Sequence, residues 1–404
     1  MSRILLVWEM GGNLGHISRL LALAEVLREQ EYDVHFAARD IARHGELLRR
    51  RGFSYVEAPE LSLYGKQSSD QSFSYPEILL HRGFGDVAAL TACVDAWRNH
   101  FQTIAPHAIV FDHAPCALLA ARGLGIPRVL FGTGFASPPR VQPMPNIRPW
   151  RQVDPLRIRA SEDEVLACVN ATLARAGRPP MQALHELFDV EENMLATLPE
   201  LDHYGARAGA QYWGPVFDTG SGDDPDWPAA SGVKIFVYIR PHATAFEALA
   251  AALRDARVAA LWFAPGLSME VARQLESPSL RFASHPLDIT KVTSRAEVAI
   301  LHAGHGSVAS MLLSGVPMLL FPENAEQFLL ARNMVTLGAG AIVDPATIRG
   351  GLASAISEFC RDGTYRERAN AVAMKYRGFD QRRQLWKVGE RIRELIDVVR
   401  ISNA

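Results

Sequence analysis

Ile4-Leu5-Leu6-Val7-Trp8-Glu9-Met10-Gly11-Gly12-Asn13-Leu14-Gly15-His16 is the stretch that decides the fold. Its apolar run at 4–8 has no polar alternation, which is the pattern of a strand buried on both faces of a parallel sheet. A glycine turn follows. Beyond it Leu20, Leu21, Leu23, Ala24 and Leu27 recur at helical spacing within 17–28. Tyr32-Asp33-Val34-His35-Phe36-Ala37 then predicts a second strand, completing a strand–helix–strand unit.

The rhythm continues outward from there. Ala108-Ile109-Val110-Phe111 reads as a strand ending at Asp112, Cys116 to Arg122 as a helix, and Arg128-Val129-Leu130-Phe131 as the next strand. Two stretches break it: residues 62–76, rich in Ser, Gln and Tyr, and the proline- and arginine-rich residues 138–155. Asp218-Thr219-Gly220-Ser221-Gly222-Asp223-Asp224-Pro225 has linker composition. The α/β pattern then restarts with strands at 234–239 and 259–263, and a strand at 297–301 running into His302-Ala303-Gly304-His305-Gly306-Ser307. A helix over 308–313 stops at Gly315-Val316-Pro317, ahead of a strand at 318–321. The expected organisation is a first α/β domain over 1–217, a linker over 218–232 and a second α/β domain over 233–404 with charged terminal helices. Both are read as doubly wound parallel sheets, with a substrate in the cleft between them.

Composition narrows the function classes. The 404 residues carry 42 Lys+Arg against 44 Asp+Glu, a net charge of −2 that supplies no global field for nucleic acid. The four cysteines, Cys93, Cys116, Cys168 and Cys360, form no C-x-x-C pair and read as small buried hydrophobes in a reducing compartment. The first apolar run is too short for a signal sequence and no run approaches a membrane span. A cytoplasmic protein is expected, with peripheral membrane contact left open.

The two glycine loops hold the chemistry. At the first, glycines including Gly12 let the backbone approach a ligand, and a helix N-terminus follows. The order Gly11-Gly12-x-x-Gly15 is not the dinucleotide fingerprint, although Asp40 sits near where its ribose-binding acid would fall. His16 stands at the elbow, with the side chain best suited to base work near neutrality. Asp112, at the carboxyl end of a strand, is placed either to orient that histidine or to cap the helix ahead of Cys116. The second loop offers backbone amides, the hydroxyl of Ser307 and a helix dipole, His302, Gly304, His305 and Gly306 included, all suited to a diphosphate. Glu323, Glu326 and Gln327 follow the next strand, within reach of sugar hydroxyls. The His302-x-x-His305 spacing lacks a third ligand nearby, so no metal is expected.

Gly-Gly-x-x-Gly-His near the start, with His302-x-Gly304-x-Gly306-Ser307, Gly315-Val316-Pro317, Pro322 and Glu326-Gln327 later, resembles the GT-B nucleotide-sugar glycosyltransferases over nearly the whole chain. The likeness is to the superfamily of UDP-glycosyltransferases and macrolide and glycopeptide glycosyltransferases. It implies two Rossmann-like domains, inversion at the anomeric carbon and no bound metal or cofactor. In that superfamily the histidine matching His16 deprotonates the acceptor hydroxyl and the aspartate matching Asp112 orients it. Residues matching His302, Gly304, Gly306 and Ser307 contact the donor diphosphate, and those matching Glu326 and Gln327 the donor sugar. Two positions depart from the pattern. Ser310 stands where the plant-type motif has a ribose-binding acid, and Arg240-Pro241-His242 where a Gly-Ser pair is usual. Arg240 is a candidate for charge near the diphosphate.

The resemblance implies an inverting transferase, taking a UDP- or dTDP-sugar as donor and a small-molecule, lipid or glycan hydroxyl as acceptor. Nucleic acid is not an expected partner. A nucleotide-sugar 2-epimerase and a nucleotide-sugar-binding protein without catalysis share the architecture. For the acceptor, the basic stretch 138–159 is expected to lie over the first domain as a loop, with Arg148, Trp150 and Arg151 facing an anionic acceptor or a membrane surface.

Overall fold

The computed structural model describes the chain except for residues 13, 62–70, 218–221, 257 and 403–404. Much of the loop read at 62–76 and the start of the linker read at 218–232 lie outside the described residues. The chain divides into two compact units: Met1–Val216 together with Asp380–Ala404, and Phe217–Phe379.

Unit 1 begins β1 (Arg3–Trp8), α1 (Leu14–Glu29), β2 (Asp33–Ala38), α2 (Ile41–Arg50), β3 (Ser54–Glu57), α3 (Tyr75–His81), α4 (Val87–Ile104), β4 (Ala108–Asp112). It continues α5 (Pro115–Ala121), β5 (Arg128–Gly132), α6 (Pro155–Arg175), β6 (Glu192–Leu195), β7 (Gln211–Tyr212). The strands form one sheet in the order β3-β2-β1-β4-β5-β6-β7, and every pairing is parallel. The unbroken apolar run of β1 serves two cores at once. Leu5 and Val7 join α4 and α6 on one face, while Ile4, Leu6 and Trp8 join α1 on the other. β4 divides in the same way, Ile109 and Phe111 against Ala108 and Val110.

Unit 2 runs β8 (Val233–Tyr238), α7 (Phe246–Asp255), β9 (Val258–Phe263), α8 (Met269–Leu275), β10 (Leu280–Ala283), α9 (Ile289–Thr293), β11 (Val298–Leu301), α10 (His305–Leu313). Then come β12 (Met318–Leu320), α11 (Ala325–Leu337), β13 (Gly340–Ile342), α12 (Pro345–Arg349), α13 (Leu352–Arg361) and α14 (Gly363–Lys375). Its sheet, β10-β9-β8-β11-β12-β13, is also wholly parallel. β11 thus occupies in unit 2 the place that β4 occupies in unit 1, beside the first strand.

The terminal helix departs from expectation. The sequence assigned all of 233–404 to the second domain, yet α15 (Gln381–Ser402) packs in unit 1. Leu385, Val388, Ile392 and Ile396 form one apolar face on α15 and close over α1. Gln30 Nε2 donates to the Trp386 carbonyl at 2.8 Å, and a β-carbon on Gly389 would displace the Gln30 side-chain amide from this position. No described helix is long and apolar enough to cross a membrane.

Candidate active site

In unit 1 the site grows from the carboxyl ends of two neighbouring strands. Trp8 of β1 pairs in register with Asp112 of β4. Past Trp8 the chain turns through Gly11, at φ +94°, and enters α1 with His16 in its first turn. The turn swings the imidazole back over the strand ends. His16 Nδ1 lies 3.1 Å from Asp112 Oδ2, and the ring stacks on Trp8 with centroids 5.5 Å apart. The charge and the shorter contact favour Nδ1–H donating to the carboxylate. Nε2 then carries the lone pair, and no described residue hydrogen-bonds to it.

Asp112 is 2% exposed. Burial alone would raise its carboxyl, but Arg19 and then His16 outweigh burial and hold it well below the usual carboxylate range. Arg19 lies one turn along α1 from His16 and donates to Asp112 Oδ2 from Nε at 3.2 Å and from Nη2 at 2.8 Å. Asp112 does not cap the following helix: Ala114 is the N-cap of α5, with no side-chain cap bond. Glu9 does that work from β1's end, accepting from the backbone N–H of Cys116 at 3.3 Å and of Ala117 at 3.1 Å. Burial pushes the Glu9 carboxyl up to about 7. His113, next to Asp112, sits at φ +50°, and its imidazole is pushed down to about 3, chiefly by burial and then by His16.

In unit 2 the loop after β11 is built in parallel fashion. His302 follows the strand and Ala303 takes a left-handed φ of 66°. Gly304 is the N-cap of α10. Both imidazole nitrogens of His302 are engaged within the unit. Nε2 accepts from the Arg240 backbone N–H at 2.9 Å, while Nδ1 faces the Phe321 carbonyl at 3.3 Å and Glu323 Oε2 at 3.5 Å. His302 therefore ties the ends of β8 and β12 to the loop. Val308 N–H is the first to return to the helix, donating to Gly304 O, so those of Gly306 and Ser307 point out of its positive end. Neither backbone nor packing demands a glycine at 304, where φ is −68° and a β-carbon would meet nothing within 4 Å. The same open space surrounds Gly12. On α11, Gln327 Oε1 accepts from the Glu323 backbone N–H at 2.8 Å, with Glu326 beside it in the first turn. Among the described residues no group of three His, Cys, Asp or Glu is arranged to hold a metal.

The basic stretch differs from its reading in two ways. Asp154 caps α6, so Arg157 and Arg159 lie on that helix and only the part before it is loop. Arg148 is 6% exposed, and its Nε donates to the Ser72 carbonyl at 2.9 Å, which makes it a strut inside unit 1. Trp150 is half-buried and Arg151 exposed. Arg19, Glu9 and His113 were missed. For Arg19 a signal existed: a charge set one turn from His16 among apolar positions of α1.

A model of the C-terminal domain of erythromycin biosynthesis protein CIII-like proteins matches residues 278–377. A PGL/p-HBAD biosynthesis glycosyltransferase of Mycobacterium tuberculosis is 25% identical over 391 residues, 92% of this chain and 88% of the relative. Among solved structures, the glycotransferase of kitacinnamycin superposes with a TM-score of 0.73 at 18% identity, covering 97% of this chain and 98% of its own. The spinosyn rhamnosyltransferase SpnG complexed with thymidine diphosphate gives a TM-score of 0.66 at 16% identity, over 96% and 100%. These likenesses bear out the resemblance carried by the sequence motifs.

Proposed function

The chain is a glycosyltransferase of the GT-B fold, and from that premise we propose an inverting transfer from a nucleoside diphosphate-sugar with His16 as general base. The acceptor hydroxyl gives its proton to Nε2 and its oxygen forms the bond to C1 of the sugar. The bond from C1 to the diphosphate breaks on the opposite face, and its electron pair leaves with the phosphate. The amides of Gly306 and Ser307 and the dipole of α10 meet that developing charge. Arg240, Glu326 and Gln327 are assigned to the donor, and Arg151 and Trp150 to the acceptor. The observation that carries the reading is the 3.1 Å contact between His16 and Asp112, which leaves Nε2 as the basic atom. The thymidine diphosphate in SpnG favours dTDP over UDP, and a rhamnose-type sugar is the first to try.

The test supplies dTDP-sugars with a panel of hydroxyl acceptors and reads the anomeric configuration of the product. Inverted product is expected, together with a turnover lower by roughly 10²–10⁴ in His16→Ala while dTDP still raises the melting temperature. Retained configuration or near-wild-type turnover in that variant overturns the mechanism. Conversion of the donor sugar without any acceptor replaces the reading with a 2-epimerase.

A further inference from the structure

One carboxylate oxygen in unit 1 is shared three ways. Asp112 Oδ2 takes His16 Nδ1 at 3.1 Å and Arg19 Nε and Nη2 at 3.2 and 2.8 Å, and Arg19 Nη2 itself stands 3.5 Å from His16 Nδ1. The other oxygen, Oδ1, is turned toward Gly132, where a β-carbon would stand 3.2 Å away. Arg19 is 5% exposed, so this charge is not screened by water. A base–carboxylate pair needs only the histidine and the acid. The buried third member changes its charge balance. With Arg19, the trio is neutral when His16 is neutral and carries +1 when His16 is protonated. Without it, the His16–Asp112 pair carries −1 and becomes neutral on protonation, which favours the imidazolium.

We infer that Arg19 is a positioning residue for the proposed base. It fixes Asp112 beside His16 and, by occupying the same carboxylate oxygen, keeps the imidazole in its neutral, proton-accepting form at lower pH. The inference rests on the assignment of His16 as base, but its physical core does not: the guanidinium acts on the imidazole whatever the imidazole does. Other groups near the ring are common to wild type and variants, and among them Glu9 itself titrates at about 7. His113, whose ring centroid is 5.9 Å from that of His16, stays neutral above about 3. Arg39 donates to the Gly11 carbonyl at 3.0 Å, and Arg82 also acts on His113. His44 lies against Trp8, with Asp40 and Arg43 acting on it, and Glu9 lies in the same strand-end turn as Gly11.

The experiment follows the His16 ring by NMR titration and the pH profile of kcat/KM in parallel, in wild type, Arg19→Met and Arg19→Lys. His16→Ala assigns the resonance. An opposite or like charge at this range moves a titration by about one unit or more. In Arg19→Met the His16 titration and the acid limb should therefore both move up by about one pH unit or more, while Arg19→Lys keeps both near wild type. Donor KM should hold in all three. A folded Arg19→Met protein whose His16 titrates as in wild type overturns the inference, whatever its activity. If Arg19→Met does not fold, Arg19→Gln removes the same charge with a polar side chain, and the same two outcomes decide. If the ring titration moves but the acid limb does not follow it, Arg19 acts as inferred and His16 is not the base. That result separates the failure of the proposed function from the failure of this inference.

Discussion

Gly11 leaves open the space that the His16 ring fills. A β-carbon built on Gly11 would stand 2.4 Å from His16 Nε2, the atom assigned to take the acceptor proton. The ring cannot retreat, because Asp112 holds Nδ1 and Trp8 covers one face. Gly11 also needs its φ of +94°, which a side chain would strain. In Gly11→Ala, turnover should fall by roughly 10²-fold with dTDP affinity unchanged, since small displacements of a reacting group are costly. Turnover within threefold of wild type would show that the base needs no such fit.

Glu9 makes stability depend on pH. Its folded pKa of about 7 exceeds the ordinary glutamate value of about 4.3, so the folded state binds more proton between the two. Stability from this group is fully present below about 4.3 and is lost as pH rises toward 7, on the order of 3 kcal/mol in all. His113 runs the other way, since its folded value of about 3 lies below the unfolded one and stability rises with pH up to about 6.5. The two oppose each other in the wild-type curve. Glu9→Gln, whose single amide oxygen can still accept from one of the two N–H groups that Glu9 Oε1 and Oε2 cap in wild type, should show a stability relative to wild type that rises between pH 4.3 and 7. Denaturant melts across that range check it, and a pH-independent difference would contradict it.

Arg148 and Arg151 should separate cleanly. Arg148 is buried against the Ser72 carbonyl, so Arg148→Ala should cost about 1.5–3 kcal/mol of stability. Arg151 is exposed, and Arg151→Ala should leave stability within about 0.5 kcal/mol while raising acceptor KM. Melting temperatures and acceptor kinetics on both variants decide. Identical effects in the two would end the distinction.

The diphosphate loop predicts a selective loss. Gly304→Ala meets no protein atom, so its melting should change by at most about 1 kcal/mol, the cost of a poorer N-cap. Calorimetry should show dTDP affinity falling tenfold or more and thymidine affinity holding, because the added methyl stands where phosphate is proposed to approach. Equal losses for both ligands would move the phosphate elsewhere.

The strands were legible because burial on both faces leaves no room for polar alternation, as at 4–8 and 108–111. His16 and Asp112 were legible because their strand ends lie side by side in the sheet order that such a unit adopts. What was missed depends on long-range placement. An apolar face at 385, 388, 392 and 396 says that α15 is buried but not against which unit. The left-handed residues His113 and Ala303 carry no glycine to announce their turns. Asp154-Pro155 was a readable helix start, hidden by the prolines before it. Glu9 caps a helix more than a hundred residues away, which no local pattern encodes.

Because α15 closes over α1, unit 1 is assembled from both sides of unit 2 along the chain. During synthesis, which proceeds from the N-terminus, α1 leaves the ribosome early with its outer apolar face uncovered. Unit 2, continuous over Phe217–Phe379, can mature before Leu385, Val388, Ile392 and Ile396 have been made. The helix that carries His16 and Arg19 thus receives its last apolar cover only at the end. An unfinished chain can thus hold the complete loop after β11 before the helix that bears His16 has its last apolar cover.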